Sequence, residues 1–200
     1  PGVPGPVPPV EPPGLPDQRT STIFYPSVRG LKFAENQSPR PQDRFFYYFN
    51  FFEDINKALN ERFAVPIQGL QAYRHVFGLE KTFDQGRGSL GFRLPINTLT
   101  GNSRFPGLGR TTTAVNDLSI FAKYILKENA ATGSLISVGG MMTLPTGPDT
   151  FANADYIRAV HTTTFQPFLG YILNLGDFYL HGFSAVEFPV NPSDVTIMYN

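Results

Sequence analysis

The chain contains no cysteine, which excludes a disulfide framework, a thiolate metal site and a cysteine nucleophile. Tryptophan is also absent. Charge is sparse: Asp, Glu, Lys and Arg make up 16% of the 200 residues, against about 25% in a typical soluble domain. Sixteen basic residues balance sixteen acidic ones, so no electrostatic footprint for nucleic acid or an anionic bilayer is present. No apolar run approaches the roughly 18 residues that a transmembrane helix needs. The sequence opens on Pro1, so any signal peptide is expected ahead of it. What the chain does have is nineteen Phe and nine Tyr. A sequence so rich in aromatics and so poor in charge either hides much surface or faces lipid.

Length allows one sizeable domain with a core of its own. The first sixteen residues hold eight prolines, and proline favours an extended polyproline II tether over a packed fold. Residues 1–43 are therefore read as tether and linker, with a short strand at Ile23-Phe24-Tyr25, and residues 44–200 as the folded domain. A proline-reading partner for the tether is the weaker reading.

Alternation carries the rest. Residues 117–148 read as two strands and a tight polar turn. Leu118, Ile120, Ala122, Tyr124 and Leu126 share one face, against Asp117, Ser119 and Lys123. In the returning strand Ile136, Val138, Met142 and Leu144 alternate with Ser137, Gly139 and Thr143. Period two is the mark of a strand with apolar surroundings on one side. RFFYYFNFF from Arg44, IQGLQAYRHVFGLEKTF from Ile67 and SLGFRLPIN from Ser89 read as further strands, as do FQPFLGYILNLG, FYLHGFSAVEF and the start of DVTIMYN. EDINKALNERF, with Ile55, Leu59 and Phe63 at helical spacing, is read as a long loop holding a helical turn or two. TLTGNSRFPGLGRTTT and PTGPDTFANADYIRAVHTTT are read as long loops, and Gly176-Asp177 as a minimal hairpin turn.

After the first strand the connections run long, short, long, short, long, short. A transmembrane up-and-down barrel has that reason to segregate them, with tight turns on the periplasmic side and long loops outside. Strands of about nine to thirteen residues suit a tilted crossing. The expected fold is thus all-β, an antiparallel up-and-down transmembrane barrel. About eight strands are present and the last begins near residue 194, so a larger barrel of about ten to fourteen strands is expected, incomplete here at its C-terminal end.

Little in the sequence points to catalysis. Gly86, Gly88 and Gly91 fit a G-x-G-x-x-G spacing, but a strand rather than a helix follows, so no dinucleotide cofactor is expected. His75, His161 and His181 stand alone, without a metal-pair spacing. No serine occupies a nucleophile elbow, and Ser184 and His181 fall on opposite strand faces. The chain is not expected to be an enzyme, to hold a metal or to use a cofactor. A charge facing lipid at mid-bilayer costs about 2–4 kcal/mol, so strand charges should point inward. Arg74, Glu80, Arg93, Asp117, Lys123, His181 and Glu187 are the candidate lumen-lining residues, either as a structural network or as a solute path. Placing Arg74 and Glu80 inward turns His75 outward beside Tyr73 and Phe77; a bulge or an interfacial position would explain it, and the sequence does not decide.

DLSIFAKYILKEN followed by SVGGMMTLPTG resembles the pattern of the family labelled MetA-pathway of phenol degradation. FGLEKTF with SLGFRLPINTL, and FQPFLGYILN with FYLHGFSAVEFP, are similar to its planctomycete-type versions. The resemblance covers residues 44–200, and Asn116 stands where the usual glycine precedes the Asp117-Leu118 pair. It implies an outer-membrane β-barrel described as a transporter or channel, and the pathway name implies little chemistry. The expected partners are the lipid bilayer of a bacterial outer membrane and a small solute, apolar if Phe105, Phe151 and Tyr156 of the long loops touch it. A soluble β-barrel or sandwich binding module on a proline stalk is the alternative. Its outer face should carry Lys, Glu or Thr, where this chain carries mostly Leu, Ile, Phe and Tyr.

Overall fold

The computed structural model describes residues 34–55, 57, 67–103, 111–150, 152 and 162–190. Most of the proline tether, the strand expected near residue 194, Leu59, Phe63, His161, Phe105, Phe151 and Tyr156 lie outside them. Among the described residues the fold is all-β, an antiparallel sheet curled into a half-barrel.

Its strands are β1 (Arg44–Phe52), β2 (Ile67–Phe83), β3 (Gly88–Ser103), β4 (Thr112–Val115), β5 (Leu118–Asn129), β6 (Ser134–Leu144), β7 (Thr164–Asn174), β8 (Tyr179–Ala185) and β9 (Phe188–Pro189). The sheet order is β1-β2-β3-β5-β6-β7-β8, with β4 on β3 and β9 on β7. The pairing follows chain order, with β4 and β5 both on β3 and β8 and β9 both on β7, as an up-and-down meander requires. Among the described residues no strand joins β1 to β8, so the sheet keeps two edges.

The tight turns gather at one end because their residues accept the left-handed region. Asp84, Gln85 and Gly86 all have positive φ between β2 and β3. Gly133 closes the β5–β6 turn at φ 72, its N–H bonded to the Asn129 carbonyl at 2.8 Å. Gly176 at φ 83 opens the β7–β8 turn, where the Leu175 N–H reaches the Phe178 carbonyl at 2.8 Å. Glycine at the first central position is what a two-residue hairpin favours.

One loop read from sequence is partly strand. Residues 98–103 continue β3, and β4 pairs back on it from Leu99↔Thr112 to Ile96↔Val115. Threonine's branched β-carbon suits the pleat, and the hydroxyls of Thr98 and Thr113 meet across the pair at 2.8 Å. The run of Gly and Thr looked like a loop because it lacks apolar alternation, yet its pairing is supplied by the neighbouring strand.

Residues 34–43, read as linker, lie against the concave face: Pro39 is fully buried and Gln37 is 8% exposed. Their contacts are with strands far along the chain, which no local pattern in the sequence announces.

Candidate functional site

The two faces of the sheet differ in chemistry. On the convex face large apolar side chains stand exposed, among them Phe45, Phe77, Leu79, Leu90, Phe92, Leu126 and Leu169. On the concave face the register aligns a different set. Arg44, Glu80, Gly91, Phe121, Met141 and Gln166 form one row across six strands. Phe46, Gly78, Arg93 and Ser119 form the next. Phe46, Phe121, Met141 and Phe168 pack as an apolar cluster on this face, and Phe168 meets Phe183 edge-on with centroids 5.7 Å apart.

Of the seven candidate lumen-lining residues, Arg74, Glu80, Arg93 and Lys123 are buried on this concave face. His181 stands opposite Ile172 on the same face, and the register running on to Phe165↔Phe188 places Glu187 opposite Gln166. Both are exposed, being at the open edge of the sheet. Asp117 lies just before β5, and its carboxylate accepts the Gly147 N–H at 3.0 Å. It ties a strand end to the following loop rather than joining the buried group.

The outward His75 has a local explanation without a bulge. Tyr47 lies on the same convex face, and its hydroxyl meets His75 Nδ1 at 2.8 Å. The ring of Phe49 lies 4.9 Å away on the other side. An imidazole with its polar edge bonded and its faces covered by rings is compatible with an apolar exterior.

The buried charges form a network around Glu80. Its carboxylate accepts Lys123 Nζ at 2.8 Å, Arg44 Nε at 3.0 Å, Ser89 Oγ at 2.7 Å and the Gln42 N–H at 3.1 Å. Lys123 also donates to the Ser38 carbonyl at 2.7 Å and toward Gln37 Oε1 at 3.4 Å. A buried ion pair holds only if the remaining donors and acceptors are matched, and here the 34–43 segment supplies several of those matches. At the rim Arg40 meets Glu128 at 2.7 Å.

Arg44, Ser89, Gln37 and Ser38 of this network, and Glu35, 4.0 Å from the buried Arg74, are residues that alternation did not single out. Arg44 and Ser89 were in view at strand starts, as polar residues of the inward parity. The other three sit in a stretch without periodicity and carried no signal.

Just ahead of β1, Asp43 pins the segment to the β2 end. Its carboxylate accepts Lys81 Nζ at 2.5 Å and both the N–H and hydroxyl of Thr82 at 2.6 Å. The Lys81 ammonium, helped by Thr82, holds this carboxyl well below the usual range. A lowered folded value gives stabilisation that is complete above the unfolded value and lost as pH falls through the folded one. The heat stability of the protein should therefore carry no Asp43 contribution to its slope from about pH 8 to about pH 5, with the loss confined below about pH 4. Comparing unfolding curves of the wild type and Asp43→Asn across that range checks this. A difference between them that changes near neutrality would contradict it.

No protein-family model matches this chain, and no curated protein or solved structure matches it either.

Proposed function

We propose that this chain forms the wall of a bacterial outer-membrane β-barrel that binds or passes a small solute over its inner face. The observation that carries the reading is the inversion of the usual soluble pattern. Arg74, Glu80, Arg93 and Lys123 are buried while Phe45 is 69% exposed and Phe77, Leu79, Leu90 and Phe92 stand exposed with it. In water so large an apolar surface marks an interaction face or an aggregation liability. In a bilayer it is the lipid-facing band, with the strands between the two edges paired on both sides. Tight turns at one end and long connections at the other support the same reading, and so does the family resemblance of residues 44–200, which we carry forward as part of the proposal.

Fractionation with heat-modifiability tests it. The chain, expressed behind a signal peptide, should partition with outer membranes and run at different mobilities when unheated and boiled. A protein that stays soluble without detergent would overturn the proposal in favour of the soluble binding module.

Depth-dependent substitution gives a second readout. Phe77 lies mid-strand and Phe83, on the same face, ends β2. Phe77→Arg should cost about 2–4 kcal/mol in lipid vesicles and Phe83→Arg about 0–1 kcal/mol, measured by denaturant titration. Equal, negligible costs at both positions would mean that this face meets water.

A further inference from the structure

We propose that the inner face holds a small carboxylate, seated on Arg74 in the place that Glu35 of the 34–43 segment takes in this structure. The inference rests on the barrel reading for its setting and names the solute class for it.

The charge of the wall is the first argument. Among the buried side chains on the concave side of the described strands, Arg74, Arg93 and Lys123 stand against one carboxylate, Glu80, while Glu128 and Glu187 of the same face lie exposed at its rim and edge. That carboxylate is shared by Lys123 and Arg44. A wall with this surplus favours an anion and disfavours a cation.

The second argument is the row containing Arg74. Asn50, Arg74 and Asn97 stand directly opposite one another on β1, β2 and β3. Arg74 is 2% exposed, and its guanidinium lies 5.3 Å over the Phe52 ring. Its nearest carboxylate is Glu35, at 4.0 Å, which is too long for a hydrogen bond. Arg74 Nη2, Asn50 Oδ1 and Asn97 Oδ1 are all buried without a hydrogen-bond partner among the described residues. Such groups cost free energy unless something completes them.

The chemistry of the row selects its occupant. A guanidinium fork is built to take a carboxylate in two parallel hydrogen bonds. The flanking amide oxygens accept, so a hydroxyl on the same solute would be met on either side. A purely apolar solute, the expectation from the loop aromatics, would leave all three groups desolvated and unmatched. The wall already meets a carboxylate here, but that carboxylate belongs to the segment that also caps Lys123 through Ser38 and Gln37. Glu35 is thus a built-in competitor for the solute.

Isothermal titration of the detergent-folded full chain with sodium lactate tests the site, with choline chloride as the ionic-strength control. The wild type should bind lactate. Arg74→Gln should weaken binding about tenfold or more, the loss of a charge-assisted pair. Glu35→Gln should move affinity the other way, tightening it severalfold, because it removes the competitor and leaves Arg74 in place. A retained heat-dependent mobility shift shows that each variant is folded. Unchanged affinity in Arg74→Gln, or weaker binding in Glu35→Gln, would overturn the site, as would binding of inorganic phosphate without lactate. A heat-modifiable membrane protein that binds no lactate would lose this inference and keep the barrel. A soluble protein that binds lactate through Arg74 would keep the site and lose the barrel.

Discussion

Glu80→Leu is expected to destabilise the folded protein by about 3–5 kcal/mol, the range for removing one partner of a buried ion pair. The side chains are similar in size, so packing is a small part of the effect. What changes is that Lys123, itself fully buried, loses its counter-charge and keeps only the Ser38 carbonyl at 2.7 Å and Gln37 Oε1 at 3.4 Å. Arg44, Ser89 and the Gln42 N–H lose their acceptor at the same time. Lys123→Met should cost less, about 1–3 kcal/mol, because Glu80 keeps three of its four donors. The double variant Glu80→Leu with Lys123→Met should recover much of the loss, since a buried pair exchanged for apolar residues of like volume is often near neutral. Denaturant titration in vesicles gives the three values. Limited proteolysis adds a local readout, because the segment 34–43 is tied to this network at both Ser38 and Gln42. Costs that are equal for the two single variants and additive in the double would mean that Glu80 and Lys123 do not act as a pair.

The asymmetry between these variants was not available from the sequence, and the reason is physical. Alternation reports which face of a strand a side chain is on, because neighbours two apart share surroundings. It therefore put Arg74, Glu80, Arg93 and Lys123 on one side, and the bounds of β2 followed from the same pattern, but β5 runs on through Lys127, Glu128 and Asn129, which read as part of the polar turn. It also turned His75 outward, correctly, and left that position unexplained, since the Tyr47 hydroxyl that completes it is 28 positions away. The packing of residues 34–43 is the larger gap. Ser38 reaches Lys123 across 85 positions, and a stretch without periodicity gives no parity to argue from. Its prolines suggested a tether, yet Pro39 is buried on the sheet: a residue without an N–H can sit in an interior without leaving a donor unmatched.

Alternation put Gly139 on the mixed face beside Ser137 and Thr143, and the structure gives it and three other glycines of the inner face a sharper role. Phe46 stands directly opposite Gly78, Phe121 opposite Gly91, Phe168 opposite Gly139 and Phe183 opposite Gly170. None of these glycines has a positive φ, so they are not there for backbone freedom. They are there because the opposite ring lies flat across the strand in the space that a β-carbon would fill. Large and small side chains alternate around the wall in this way, and a sheet can curl that tightly because the rings need not stand on end.

Two of these pairs separate ring from backbone. At Gly78 the three atoms nearest to an added β-carbon all belong to the Phe46 ring, whereas at Gly139 they include the Ala122 carbonyl oxygen as well as the Phe168 ring. Gly78→Ala and Gly139→Ala should each destabilise by about 1–3 kcal/mol, as overpacking does. In a Phe46→Ala background the cost of Gly78→Ala should vanish, because the obstacle has gone. In a Phe168→Ala background Gly139→Ala should remain costly, because a carbonyl held in the ladder between β5 and β6 cannot retreat without breaking its pairing. The two double-mutant cycles, read by denaturant titration, should therefore give a large coupling energy at the first pair and a small one at the second. Equal coupling at both would mean that the strands shift to admit the new methyl group. In that case the curl of the wall would be set by the turns and edges, and the ring-over-glycine contacts would follow the curvature instead of fixing it.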